Sequence, residues 1–476
     1  MTVFWGRTLL GEGRRQLASG SARRGAMVVM AAGMAVLCAG LLTGAAPGSA
    51  RARAPRVQWG TAVEVPGLKA LGSRIFWEAR VNSLSCWSVN NCAAGGWYAD
   101  PSGSAQAFVA VEQEGRWHKA VEVPGLAALN TGANEYTGAS VYSVSCAAGG
   151  YCVAGGYYTD GSEHVRAFVS ILANGRWQLA EEPALAALGA GMISSVSCPS
   201  AGNCVIGGSA AGEAFVVSQV SGAWGAAQEI PGIYTVSSLS CWSAGNCAAA
   251  DEGSVVSEEN GVWGTAEPVP GTADLYGTVI DSLSCAHDGY CAVGGWYEPT
   301  SYRSYPFVAT EQNGVWGAAV EWSGGPVLTS TSQIASVSCA SAGSCAAVGF
   351  DRYGGIKYTY QSFVVDQKNG AWGTPRLLTG SPRNDKITSV SCPSAGDCRL
   401  GGSYVPASNR REPFVAIQTN GRWGKAKLVP GIRTLNKHSA IQTGIVSVTC
   451  PSVVHCSAAG TYTNAGGFNL EFVTGR

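Results

Sequence analysis

Sixteen of the 17 cysteines in this chain fall into eight pairs with five residues between partners. They are Cys86/Cys92, Cys146/Cys152, Cys198/Cys204, Cys241/Cys247, Cys285/Cys291, Cys339/Cys345, Cys392/Cys398 and Cys450/Cys456, and Cys38 stands apart. Cysteine supports three chemistries. Zinc ligation calls for a different spacing and for histidines that recur beside the pairs, and none do. Redox work calls for a low-pKa thiol, usually in Cys-x-x-Cys, which is absent. Regular pairing on an exported chain reads as local disulfides. Each would close a loop of about seven residues and contribute at most roughly 2.4 kcal/mol.

The other reactive side chains form no recognisable constellation. His118, His164, His287, His438 and His455 follow no metal or triad pattern. His-Glu-x-x-His, Gly-x-Ser-x-Gly and a phosphate-cradling glycine loop do not occur. Glu181-Glu182 and Glu258-Glu259 read as solvated turn charges rather than a glycosidase dyad. No cofactor and no metal are expected. Seven basic residues lie before Pro55 against one acid, leaving 24 basic and 30 acidic residues beyond it, a net of about −6. Such a body has no electrostatic footprint for nucleic acid.

Residues 1–54 read as a signal peptide and short leader: a basic start, an apolar run from Ala26 to Leu42, and a small-residue exit at Ala46–Ala52. The alternative is an uncleaved anchor, which would be the chain's one link to a membrane.

Residues 55–476 hold the repeat. Each cysteine pair follows Ser-Val/Leu-Ser/Thr and encloses a turn, so it joins two short strands. A third strand carries Phe-Val, as at Phe108-Val109 and Phe414-Val415, and a two-residue turn such as Asn420-Gly421 leads to a fourth strand beginning at Trp423. Four antiparallel strands per 43–60 residues is the pattern of propeller blades. The eighth unit stops at Phe472-Val473 without its tryptophan strand, and that strand stands at the other end, around Trp59–Val65. A closed ring explains the split repeat, because pairing both ends in one blade removes exposed edges. The expectation is an all-β, eight-bladed propeller whose last blade is completed by the N-terminal strand.

The four-strand unit, the Asn-Gly-x-Trp turn and the shared last blade resemble the WD-repeat and Asp-box (BNR-like) propeller superfamily. The Cys-Pro-Ser-Ala-Gly-x-Cys units also look like repeats of secreted actinobacterial proteins. Thr310–Trp316 keeps only the second half of an Asp box, and the sialidase residue set has no counterpart here, so sialidase chemistry is not implied.

The cysteine turns and Asn-Gly turns keep their lengths and share one face of such a ring, whereas the other two connections vary. Variable loops on a rigid scaffold are where function concentrates. Where the second strand reaches that face stand Trp97, Tyr98, Tyr157, Tyr158, Trp296, Tyr297, Tyr404 and Tyr462. These are candidates to bind an extracellular glycan or protein, with packing between blades as the competing role. The leading expectation is a secreted, non-enzymatic binding scaffold. The alternatives are a polysaccharide hydrolase or lyase and a purely structural envelope protein.

Overall fold

The computed structural model describes residues 59–475, apart from 73–77, 135–136, 183–188, 273–276, 301–302, 324–327, 329–330, 354–358, 381–383, 407–409 and 439–442. The leader, with its expected signal and Cys38, lies outside the described residues. So do the first residues of the body.

Eight antiparallel sheets form eight blades. Their inner strands are Ala79–Ser88, Ser140–Ala147, Gly191–Ser200, Ser238–Ser243, Val279–Cys285, Thr331–Ser341, Asp385–Ser394 and Gly444–Ser452. Each inner strand neighbours the next, and the eighth neighbours the first, so the ring is closed. Blade eight is completed by the N-terminal strand, with Val63 opposite Val473 and Glu64 opposite Phe472. No described helix is long and apolar enough to cross a membrane.

The repeated residues now acquire physical reasons. At the seven junctions from blade one to blade eight, the two hydroxyls of Ser-x-Ser accept backbone N–H groups from the next blade. Ser83 takes Val144 N–H and Ser85 takes Cys146 N–H, and the series continues to Ser389 with Val448 and Ser391 with Cys450, at 2.9–3.2 Å. An inner strand has no ladder partner on its axial edge, and these hydroxyls satisfy the donors that would otherwise be orphaned there.

Gly-Gly is the second device. Inner strands of seven blades carry a bulge before Ser-x-Ser, as between Val81 and Ser83 or Ile387 and Ser389. The bulge drives a carbonyl against the second strand, so a Cβ at Gly96 would overlap the Arg80 oxygen. Blade four has Asp251 at the equivalent place, and its inner strand starts at Ser238, beyond the bulge position.

On the outside, the sequence predicts one continuous fourth strand, but the structure splits it. In blade one Arg116–Trp117 and Val121–Glu122 both pair with Ala105–Gln113, and between them Ala120 N–H leaves the ladder for Pro66 O of blade eight at 2.7 Å. Ala180 to Pro124, Ala319 to Pro270 and Ala62 to Pro430 repeat the link. The interruption therefore joins neighbouring blades. The core lies between blades and contains Phe108, Phe168, Phe215, Phe307, Phe363, Phe414 and Phe472, all fully buried.

All eight expected disulfides are present, each within its own inner hairpin. The Asn-Gly turns carry the positive φ expected at both positions, for example 49° at Asn420 and 72° at Gly421. Three are stitched to the cysteine turn beside them, by Gly261 N–H to Gly245 O, Gly370 N–H to Gly343 O and Gly421 N–H to Gly396 O at 2.7–3.1 Å, and the Ser221-Gly222 turn repeats the link from Gly222 N–H to Gly202 O at 2.8 Å.

Candidate functional site

The bulges decide what the variable face presents. A bulge leaves one residue without a cross-strand partner and re-aims its side chain. In blade one that residue is Asn82, whose Nδ2 donates to Ser140 Oγ at 3.0 Å and to Val141 O at 2.8 Å. In blade two it is Tyr142, which remains 39% exposed. Trp97 and Tyr157 stand opposite Arg80 and Ser140 on the adjoining second strands.

Together these line a groove of about 790 Å³ over blades eight, one and two. Trp97, Tyr142, Tyr157 and Phe468 supply aromatic surface, and Glu78, Arg80, Asn82 and Asn469 supply polar groups. The Tyr142 and Tyr157 rings are 5.2 Å apart and tilted by 43°. Burial pushes the Tyr157 phenol up to about 12, and Tyr142 beside it adds to the effect. Two loops shape the rim. Asp100 Oδ1 accepts Ser102 N–H at 2.8 Å and Ser104 N–H at 3.1 Å. Asn464 Oδ1 accepts Gly466 N–H at 2.8 Å and Phe468 N–H at 3.1 Å, which fixes Phe468 in the wall.

The eight aromatics singled out in the sequence divide sharply. Trp97 and Tyr157 line the groove, and Trp296 is half-buried at the equivalent place in blade five. Tyr98, Tyr158, Tyr297, Tyr404 and Tyr462 are buried, and each hydroxyl is held by a glutamate: Glu122, Glu182, Glu321, Glu412 and Glu64. Strand alternation turns the second residue of Trp97-Tyr98, Tyr157-Tyr158 and Trp296-Tyr297 away from the first. The buried five face neither the groove nor solvent.

The paired cysteines form the expected bridges, and none of them lines the groove over blades eight, one and two. Cys92, Cys152 and Cys291 are fully buried and Cys456 nearly so, and none of the four lines the groove. Each belongs to an apolar cluster between blades, beside Phe108, Phe168, Phe307 and Phe472 respectively. The reason is their place on the second strand, which has a strand on either side and a neighbouring blade packed against it. These sulfurs are core atoms as well as staples.

Arg80, Asn82, Tyr142 and Phe468 escaped the sequence reading. A signal existed for two of them: the residue just before Ser-x-Ser varies (Asn82, Tyr142, Ser194, Asp281, Ala335, Thr388, Val446) while its flanks repeat. One acid is also corrected. Glu258 is not a solvated turn charge but is 1% exposed, because its register opposite Cys247 turns it between blades. Burial pushes its carboxyl up to about 7. Among the described residues, no three His, Cys, Asp or Glu side chains are grouped to hold a metal ion.

No protein-family profile matches this chain, and no curated protein matches it. Solved structures do resemble it. YCF48 from Cyanidioschyzon merolae is 11% identical, with 87% of this chain and 98% of that one covered at a TM-score of 0.42. A GH74 xyloglucanase from Xanthomonas campestris is 11% identical over 86% of this chain and 54% of its own, with a TM-score of 0.42. An alpha-L-arabinanase from Penicillium chrysogenum is 9% identical over 88% of this chain and 98% of its own, with a TM-score of 0.37. Similarity at this level carries no conclusion about activity.

Proposed function

We propose that this protein is a secreted, non-enzymatic scaffold that holds a glycan chain in the groove over blades eight, one and two. One observation carries the reading: Trp97, Tyr142, Tyr157 and Phe468 meet Arg80, Asn82 and Asn469 in a single open groove. Sugar rings offer apolar faces to aromatic side chains and a rim of hydroxyls to amides and guanidinium, which is what this lining provides. The acid lining the groove is Glu78, which is exposed, whereas glycoside hydrolysis uses two carboxyl groups flanking one bond. Eight disulfides suit an oxidising extracellular setting. Kinship with secreted actinobacterial repeat proteins belongs to the same proposal.

A glycan array on the exported protein tests this. Trp97→Ala and Tyr142→Ala should each weaken a retained glycan by roughly 1–2 kcal/mol while leaving melting and disulfides intact. Failure to retain any glycan, or unchanged affinity in both variants, overturns the proposal. Release of shortened chains, abolished by Glu78→Gln, would replace it with the hydrolase or lyase alternative.

A further inference from the structure

A second cluster stands at the mouth of the ring in blades five to seven. Lys386 lies six residues before Cys392, the place that Gln333 fills in blade six and Arg80 in blade one. Its Nζ sits over the faces of Phe350 and Tyr360, 4.4 and 5.8 Å from the ring centroids. Those rings meet edge to face at 5.5 Å, forming a stiff wall. Among the described residues no carboxylate forms an ion pair with Lys386.

The surroundings of that ammonium are costly for a cation. Burial lowers its pKa, and the guanidinium groups of Arg411 and Arg352 lower it further, while Asp281 acts in the opposite direction. Asp281 is itself reachable by solvent yet hemmed in by the ring. Burial pushes its carboxyl up to about 6 against the pull of Lys386 and of Gln333, whose Nε2 donates to Asp281 Oδ2 at 3.1 Å. Among the described residues this half-buried ammonium, set among like charges, has ring faces and no acceptor oxygen as its near contacts.

Lys386 stands on the same face of the ring as the groove, at the level of Arg80, with blade eight between them. The residue of blade eight at that level is Gly444, and the Ser403 side chain of blade seven fills the space a Cβ would take there. The geometry points to a subsite at Lys386 for the anionic group of an acidic sugar, a carboxylate or a sulfate ester, on the same face of the ring as the groove. This rests on the glycan reading and sharpens it to acidic glycans. Anionic oxygen on an ammonium is a charge-assisted contact, stronger than a neutral one.

Calorimetric titration should compare a neutral oligosaccharide with its uronate-bearing and sulfate-bearing counterparts. The wild type should favour one acidic form by about tenfold, and which form it favours identifies the anion. Lys386→Gln should cancel that preference without changing affinity for the neutral chain, and Lys386→Arg should retain it. A preference that survives Lys386→Gln, or no preference in a wild type that does bind these chains, overturns the inference. Sodium sulfate alone separates this inference from the broader reading. The side-chain NMR signal of Lys386 should shift saturably with sulfate whether or not any glycan binds. No shift refutes the subsite, whereas a shift without glycan binding keeps it and refutes the glycan reading.

Discussion

The two faces of the ring are made by the same strands and have opposite characters. On the cysteine-turn face, grooves of about 410 Å³ between blades three and four and about 450 Å³ between blades six and seven are copies of one another. Both are walled by two cysteine turns, with Asn260-Gly261 completing the first and Asn369 and Asn420-Gly421 the second. On the other face, the groove of about 790 Å³ draws on Tyr142, Trp97 and Phe468, which no other blade reproduces together. A cavity that recurs with the repeat is a by-product of blade packing. A cavity that breaks the repeat needs its own explanation, and recognition supplies one.

The contrast can be broken most severely by opening the ring. Deleting Trp59–Pro66 removes the outer strand of blade eight and the Ala62 and Pro66 links to both neighbours. The expected result is loss of the cooperative melting transition followed by circular dichroism, and an unchanged transition would mean that closure is dispensable. Gly96→Ala comes next, since its Cβ would occupy the space of the Arg80 carbonyl and force the bulge apart. A cost of about 1–3 kcal/mol or more is expected in denaturant melts, together with loss of the groove built on that bulge.

Acidity sharpens the comparison from the cysteine-turn side. Burial raises Glu112 and Glu258 to about 7 and, with Ser257 opposing and Glu259 adding, Glu311 to about 6. Their pKa values are higher folded than unfolded, so their contribution to stability is full below about pH 4.5. It is lost as pH rises to about 7 and is flat beyond. Stability should therefore fall between pH 5 and pH 8, by about 1–3 kcal/mol per group, with the melting temperature falling alongside it, and Glu258→Gln should flatten the profile. A profile that rises over this window would contradict the burial of these acids. The smallest effect is expected from one staple. Replacing Cys198 and Cys204 together by Ala should cost at most roughly 2.4 kcal/mol and leave glycan retention unchanged.

Much of the architecture was legible because each blade repeats its signals independently. Phe-Val, Asn-Gly-x-Trp and the paired cysteines mark three strand junctions, and the orphan Trp59 segment announces closure. The split outer strand was not legible, since Ala120 looks like any small strand residue until its N–H is seen on Pro66. The site was half legible. Trp97 and Tyr157 were singled out, but their neighbours Tyr98 and Tyr158 came with them, because an aromatic pair in a sequence does not say which ring faces out until the register is known. Tyr142 and Asn82 stayed hidden because a bulge, and not strand alternation, aims them.

Closure also imposes an order in time. Thr474 Oγ donates to Gly60 O across 414 residues of chain, so Val63–Glu64 waits for Asn469–Gly475. Seven blades can each complete from a local stretch as it emerges, whereas the eighth cannot form until Asn469–Gly475 has been made. The segment at Trp59–Val65 therefore has no strand partner for the whole interval, and its Trp59, Ala62 and Val65 side chains are buried only once blade eight closes.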